Sequence, residues 1–247
     1  LFNCSDVLYY YVHEYLWLPT LAFMKPIVSE KDFPTVKKFV YLNAANVALM
    51  YTGAEQIITE WVADVAQNGS NNFDDHAEEN VFKDLHRAAA HLINAAPDDI
   101  AAGSSATELL CSLAWAVSPG KGKNVVSTEI VFPSTVYPWQ RVARSTGCEI
   151  RLAKEKNNFI HTDDIIALID RHTAVVCISH VEYGNGQTYD LHLLADAAHE
   201  QGALLVVDAT QSAGSIPIDV QACQVDALIS GAYKWLCGPF GAAFMYI

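Results

Sequence analysis

From about residue 98 onward, short apolar runs alternate with amphipathic segments of helical period. Such alternation predicts an α/β fold, in which helices flank both faces of a mostly parallel sheet. Several of the apolar runs are continuous, as expected of strands buried on two faces. The seven predicted strands are residues 99–102, 124–127, 149–153, 174–179, 204–207, 227–230 and 242–247.

Hydrophobic periodicity also predicts helices, two of them before the first strand. The predicted helices are residues 53–67, 80–94, 107–117, 136–145, 162–169 and 191–201, with a polar loop at 68–75. Thr162 is predicted to cap its helix, because acidic residues follow it in the first turn. Gly202 is a natural stop for the last of these helices. A chain of 247 residues suits one large domain.

Lys234 and Asp208 each follow a predicted strand. In an open α/β sheet the carboxyl ends of the strands form a ligand-binding crevice, where we expect the two side chains to meet. The pair suits pyridoxal 5′-phosphate (PLP), because the lysine amine forms a Schiff base with the cofactor aldehyde and the carboxylate keeps the pyridinium nitrogen protonated. Gln211 is placed to bond the ring hydroxyl. Simpler interpretations stay open: a surface lysine, and a helix N-cap for Asp208.

Two further segments carry residues suited to the same cofactor. Ser105, Ala106 and Thr107 are small residues at a predicted strand-to-helix junction, where free backbone N–H groups and the helix dipole bind phosphate. The alternative is an ordinary capping box between Ser105 and Glu108. Phe132 follows another predicted strand and could stack on the pyridine face, or it could be a core residue.

Composition and charge narrow the classes of partner. The formal net charge of −13 argues against nucleic acid or an anionic membrane surface as a partner. His86 and His91 do not share a helix face, and the sequence predicts no metal site.

The apolar N-terminal stretch is too short and polar to span a membrane, and it lacks the basic region of a signal peptide. Without paired spacing, the cysteines predict reduced thiols of a cytoplasmic protein: Cys4, Cys111, Cys148, Cys177, Cys223 and Cys237.

Seven segments in this order resemble the class V aminotransferase family of fold-type-I PLP enzymes, which includes cysteine desulfurases, selenocysteine lyases and isopenicillin N epimerase-like proteins. The segments are YLNAA (41–45), SATE (105–108), EIVFPSTVYPW (129–139), SHVE (179–182), AHEQG (198–202), VDATQSAG (207–214) and GAYKW (231–235). The resemblance covers roughly residues 39–247. It implies a PLP-binding large domain at residues 41–247 after an N-terminal arm at 1–40, an amino-acid substrate and a homodimer.

The resemblance also implies a role for each matching residue. Lys234 corresponds to the Schiff-base lysine and Asp208 to the pyridinium partner, and these two are the predicted catalytic residues. Ala106 and Thr107 correspond to the phosphate site, and Gln211 to the contact with the ring oxygen. The full set predicted to bind the cofactor is Ser105, Ala106, Thr107, Phe132, His180, Asp208, Gln211, Tyr233 and Lys234.

Three positions depart from the desulfurase pattern. Phe132 and Tyr233 stand where desulfurases carry histidines, and Tyr183 is the closest match to their asparagine near the ring hydroxyl. A tyrosine before the lysine is more similar to the epimerase-like and lyase-like branch. Cys237 lies near Lys234, but no histidine base adjoins it, and we predict a structural cysteine.

The sequence stops soon after the last predicted strand, whereas family members continue into a C-terminal small domain that grips the substrate carboxylate. We therefore expect a cofactor domain from which the small domain is absent. The leading hypothesis is a PLP-dependent enzyme acting at the α-carbon of an amino acid, with Lys234 as proton shuttle. Transamination, elimination and epimerisation remain open. The alternative is a truncated or degenerate PLP-binding scaffold protein that needs a partner chain for activity.

Overall fold

A computed structural model describes residues 28–247. Most of the predicted N-terminal arm, residues 1–27 with Cys4, lies outside the described residues. A 3-10 helix at Pro34–Lys37 and an irregular segment then lead to the first α-helix, which begins at Thr52.

The centre of the molecule is a seven-stranded sheet with the strand order β1-β7-β6-β5-β4-β2-β3. Four neighbouring pairs are parallel, and β7 runs antiparallel to both β1 and β6. Every predicted strand is present, and the prediction of a mostly parallel sheet is confirmed. The strands are β1 (Ile100–Gly103), β2 (Asn124–Thr128), β3 (Glu149–Ala153), β4 (Thr173–Ser179), β5 (Leu204–Asp208), β6 (Ala227–Gly231) and β7 (Ala243–Tyr246).

Helices cover both faces of this sheet. Alternate strand residues point to opposite sides, as the pleat requires. Val125, Cys177 and Val206 belong to one apolar cluster, with residues of α4 and α5. The other face packs against α3, α6, α7 and α8. The helices are α1 (Thr52–Asn68), α2 (Asp75–Asn80), α3 (Lys83–Ile93), α4 (Ala106–Val117), α5 (Pro133–Thr146), α6 (Thr162–Ile166), α7 (Leu191–Glu200) and α8 (Val220–Cys223).

Several predicted boundaries of helices and loops need correction. The helix predicted at residues 80–94 is interrupted by a turn at Val81 and Phe82, so α3 begins at Lys83. The polar loop predicted at 68–75 ends one residue early, because the Asp74 carboxylate accepts a hydrogen bond from Ala77 N and starts α2. Thr162 is not the N-cap: His161 holds that position without a side-chain bond.

Helix α6 also ends earlier than predicted, at Ile166 instead of residue 169. Leu168 N and Ile169 N donate to the carbonyls three residues before them, at 3.0 Å each. These tighter turns replace the last α-helical turn, which is a common way to satisfy the carbonyls at a helix end.

None of the residues of helix α1 is buried. Ile57, Trp61 and Val62 are exposed to 69%, 59% and 54%. These neighbouring side chains form an exposed apolar patch on the helix.

Candidate active site

The carboxyl ends of β4, β5 and β6 lie side by side. Ser179 pairs with Asp208, and Asp208 pairs with Ile229, so the end of β5 is flanked by both neighbours. A cleft with about 520 Å³ of empty space, partly open to solvent, lies at these ends. Its lining residues are Ser105, Ala106, Thr107, Phe132, Ser134, Ser179, Val181, Tyr183, Asp208, Thr210, Gln211, Tyr233 and Lys234.

Lys234 lies at the inner side of the cleft and is only 7% exposed. Its Nζ lies 5.6 Å from the Phe132 ring centroid and 5.7 Å from that of Tyr233. Within residues 28–247 this nitrogen makes no hydrogen bond or ion pair. Burial lowers the pKa of Lys234, and the Asp208 charge opposes this shift only in part. The interpretation as a surface lysine is therefore wrong, and the amine is a more available nucleophile than an ordinary lysine.

Asp208 ends β5 and is 5% exposed. Its Oδ2 accepts a hydrogen bond from Thr135 Oγ1 at 2.8 Å, and its Oδ1 accepts one from Thr210 N at 3.0 Å. The residues that follow form turns instead of a helix, so the alternative interpretation of Asp208 as a helix N-cap is wrong. Donors to both oxygens hold the carboxylate in one orientation.

The start of α4 forms another part of the lining. Ser105 is the N-cap, and its Oγ accepts a hydrogen bond from Glu108 N at 3.1 Å. The Glu108 carboxylate accepts from the Ser104 hydroxyl and backbone N–H, which lowers its pKa. Ser105 therefore does cap the helix. The N–H groups of Ala106 and Thr107 have no intrahelical acceptor, because they belong to the first turn.

Gln211 lines the cleft, but both ends of its amide already bind protein atoms. Nε2 donates to Ala45 O at 2.8 Å, and Oε1 accepts from Trp235 Nε1 at 2.9 Å. The side chain thus joins the N-terminal segment to the loop that carries Lys234. One hydrogen of Nε2 is left for another acceptor, and contact with a ring oxygen stays a prediction.

Aromatic rings form one side of the cleft. Phe132 is 40% exposed, so the alternative interpretation of this residue as a core side chain is wrong. The ring of Tyr183 meets it edge-on, with centroids 5.2 Å apart at 85°. Tyr233 stacks on Phe240 at 4.7 Å. The exposed face of Phe132 is suited to stacking against a flat ligand.

His180 does not line the cleft, unlike the other residues predicted to bind the cofactor. Ser179, Val181 and Tyr183 do, and the period of two along an extended chain turns the intervening side chain away. His180 is 8% exposed, its Nδ1 has no partner within the described chain, and burial lowers its pKa to about 4. The ring is therefore neutral near pH 7.

The sequence reasoning missed two residues that contact Asp208. Thr210 lies in the quoted VDATQSAG segment and Thr135 in the segment at 129–139. Thr135 is 73 residues away from Asp208 along the chain, and no local pattern signals their contact. For Thr210, its position two residues after Asp208 was the one feature of the sequence that could have indicated the contact.

Cys237 fits a structural role better than a nucleophilic one. It lies in a turn with φ of 54°, and burial raises its pKa, which disfavours the thiolate.

Over residues 28–247, no group of three or more His, Cys, Asp or Glu side chains is arranged to hold a metal ion. In the same range no helix has the length and apolar character needed to cross a membrane.

Comparison with solved structures identifies the fold. A mutant of C-DES with glycine covalently linked to its PLP cofactor matches with a TM-score of 0.79 at 22% identity, over 89% of this chain and 59% of that chain. Together with the sheet, this likeness confirms the predicted fold-type-I large-domain fold.

Three curated relatives carry different functional names. The uncharacterized aminotransferase YcbU of Bacillus subtilis is 30% identical, over 87% of this chain and 56% of YcbU. A probable cysteine desulfurase of Methanothermobacter thermautotrophicus is 27% identical, over 92% of this chain and 57% of that protein. The kynureninase of Geobacillus thermodenitrificans is 28% identical, over 93% of this chain and 58% of that protein.

The chain therefore spans a little over half the length of the curated relatives it matches. The match to the family described as Aminotransferase class-V extends over residues 41–247, from the irregular segment before α1 to the end of the described sheet. The chain belongs to the class-V aminotransferase family.

Proposed function

We propose that this chain is the cofactor-binding part of a PLP-dependent enzyme that acts at the α-carbon of an amino acid. The observation that carries the proposal is one cleft lined by both Lys234, whose amine has no partner within residues 28–247, and the oriented carboxylate of Asp208. When bound, PLP supplies an aldehyde for amine capture and an aromatic ring that stabilises negative charge at the substrate α-carbon.

The residues of the cleft fit each part of this cofactor. The free N–H groups of Ala106 and Thr107 at the start of α4 suit the phosphate. The Asp208 carboxylate suits a protonated ring nitrogen, and the face of Phe132 suits the ring. Lys234 supplies an unpartnered amine for covalent attachment.

Lys234 would also serve as the proton-transfer group of the site. Its Nζ is the candidate base that takes the proton from the substrate α-carbon and returns a proton during product formation. The lowered pKa suits this task, because a general base works best when its pKa lies nearer the operating pH. The half-buried ring of Tyr233 shields the amine from water on one side.

The branch of the reaction is a separate question. The relatives include an aminotransferase, a probable desulfurase and a kynureninase by name, so family membership leaves transamination, elimination and epimerisation open. Phe132 and Tyr233 in place of the desulfurase histidines disfavour sulfur mobilisation. Amino acids remain the substrate class common to these candidates.

A homodimer is part of the proposal. The exposed apolar face of α1, formed by Ile57, Trp61 and Val62, supports contact with a second polypeptide surface. The alternative, a PLP-binding scaffold that needs a partner chain for activity, is distinguished from the enzyme by a test for turnover.

The test is the visible absorption spectrum of the purified chain with PLP, recorded beside Lys234→Ala and Asp208→Ala. We expect the band of lysine-bound PLP in the wild-type chain, its loss in Lys234→Ala, and weaker PLP binding in Asp208→Ala. Lysine-bound PLP in Lys234→Ala would refute the assignment of Lys234. If the wild-type chain forms the band but turns over no amino acid, the scaffold candidate leads.

A further inference from the structure

We propose that Thr135 is the positioning residue that holds Asp208 in register with the Phe132 ring, an inference that rests on the proposed function. Thr135 lies in the first turn of α5 and is 0% exposed. Its hydroxyl donates to Asp208 Oδ2 at 2.8 Å. It is the one side chain in the described residues that donates a hydrogen bond to this carboxylate.

The backbone of Thr135 ties the same residue to two further parts of the site. Its N–H donates to Phe132 O at 2.9 Å, which closes the turn that carries the aromatic ring. Its carbonyl accepts the Cys177 thiol at 3.4 Å, which anchors it to β4. Thr135 therefore connects the ring at the wall of the cleft with the carboxylate at the end of β5.

This connection has a chemical consequence for a flat heteroaromatic ligand. Such a ligand needs a surface against its face and a negative charge at the nitrogen on its edge, both at the same time. Binding sites of this kind lose much of their effect when the charged group is free to rotate. The other donor to Asp208 is the backbone N–H of Thr210, which no substitution short of proline removes.

Thr128 offers a matched control for this arrangement. It too is 0% exposed, and its hydroxyl donates to a buried carboxylate, Glu182 Oε1, at 3.0 Å. Neither Thr128 nor its bond to Glu182 belongs to the cleft that contains Lys234. Thr128→Val therefore removes the same kind of bond from the core without touching Asp208.

The experiment measures the dissociation constant for PLP by equilibrium dialysis, the visible spectrum and the urea midpoint. It compares the wild-type chain with Thr135→Val, Thr135→Ser and Thr128→Val. Valine has the shape of threonine without the donor, so we expect PLP binding about tenfold weaker in Thr135→Val. Serine keeps the donor, and we expect Thr135→Ser to bind within about threefold of wild type. Thr128→Val should bind PLP as wild type does, even where its urea midpoint falls.

Each alternative result has a defined meaning. Wild-type affinity in Thr135→Val would overturn the positioning role, as would equal losses in Thr135→Val and Thr128→Val. If Thr135→Val does not fold, tenfold weaker binding in a folded Thr135→Ser overturns the role, because the hydroxyl is still present. A wild-type chain that binds no PLP refutes the proposed function itself, and that outcome is distinct from any difference between the variants.

Discussion

Replacing Lys234 by methionine should stabilise the PLP-free chain. The side chain is 7% exposed, and its Nζ has no hydrogen-bond or ion-pair partner within residues 28–247. Methionine keeps the apolar contacts of the lysine stem and removes the buried charge. The variant tests whether the amine is as poorly solvated as its surroundings indicate.

The expected change in the free energy of unfolding follows from two opposing effects. A polar group that is fully buried without a partner costs about 1–3 kcal/mol, and this is an upper limit for Nζ, because Lys234 lines a cleft that is partly open to solvent. The two aromatic rings near Nζ, those of Phe132 and Tyr233, each return about 0.5–1 kcal/mol through cation–π attraction. Because burial lowers the pKa of Lys234 despite the nearby Asp208 charge, we expect a net gain in the free energy of unfolding, and solvent in the open cleft limits it to about 1 kcal/mol at most.

The gain should depend on pH in a defined direction. The unfolded chain binds the lysine proton up to its ordinary pKa of 10.5, whereas the folded chain releases it at a lower pH. Between those two values the unfolded state binds more protons, so wild-type stability rises with pH relative to the variant. The advantage of Lys234→Met should therefore be largest below the folded pKa of Lys234 and smallest above pH 10.5.

Urea unfolding of the PLP-free chain at several pH values from 7 upward measures both effects. Lys156→Met is the matched control, because that side chain is 59% exposed and pairs with Asp164. We expect no stabilisation in the control, because an exposed ion pair of this kind contributes little and its loss gains nothing. A Lys234→Met chain less stable than wild type at pH 7 would refute the reasoning, because it would mean that the ammonium is well solvated or paired.

Two more predictions concern the surroundings of the cleft. Gly214→Ala should destabilise the chain by about 3 kcal/mol or more, because φ is 89° and a Cβ would lie 2.7 Å from Trp235 O. Gly241→Ala, with the same φ and no atom within 4 Å, should cost only about 1–2 kcal/mol in urea unfolding, and equal losses would contradict the steric argument. Burial raises the pKa of Glu182 to about 7, so stability should fall as pH rises from 4.5 to 7. Glu182→Gln should flatten that part of the stability profile, and an unchanged slope would mean that another group causes it.

Much of the fold could be predicted because several buried strands, among them β4 and β5, contain continuous apolar runs. A parallel strand covered on both faces requires such a run, and few other local structures tolerate one. Predictions at helix ends were weaker. The break at Val81 and Phe82 and the early end of α6 depend on turns whose residues have no strong preference.

In the site, too, some features could be predicted from the sequence and others could not. Asp208 and Lys234 were predictable, because residues that follow neighbouring parallel strands meet at one edge of the sheet. The failure of His180 to reach the cleft was not, since one residue of register reverses the face on which a side chain lies. The hydrogen bonds of the Gln211 amide could not be predicted either, because their partners Ala45 and Trp235 are distant from it in the sequence.

By itself, the sequence determined the strands, the fold class and the two residues at the centre of the cleft. These properties follow from local patterns of burial and from the positions of polar residues after strands. Tertiary structure alone decided that β7 lies antiparallel between β1 and β6, that the Lys234 amine is unpartnered, and that Thr135 contacts Asp208 across 73 residues. Such contacts arise only when segments remote in the chain pack together, and composition and periodicity carry no record of the distances between them.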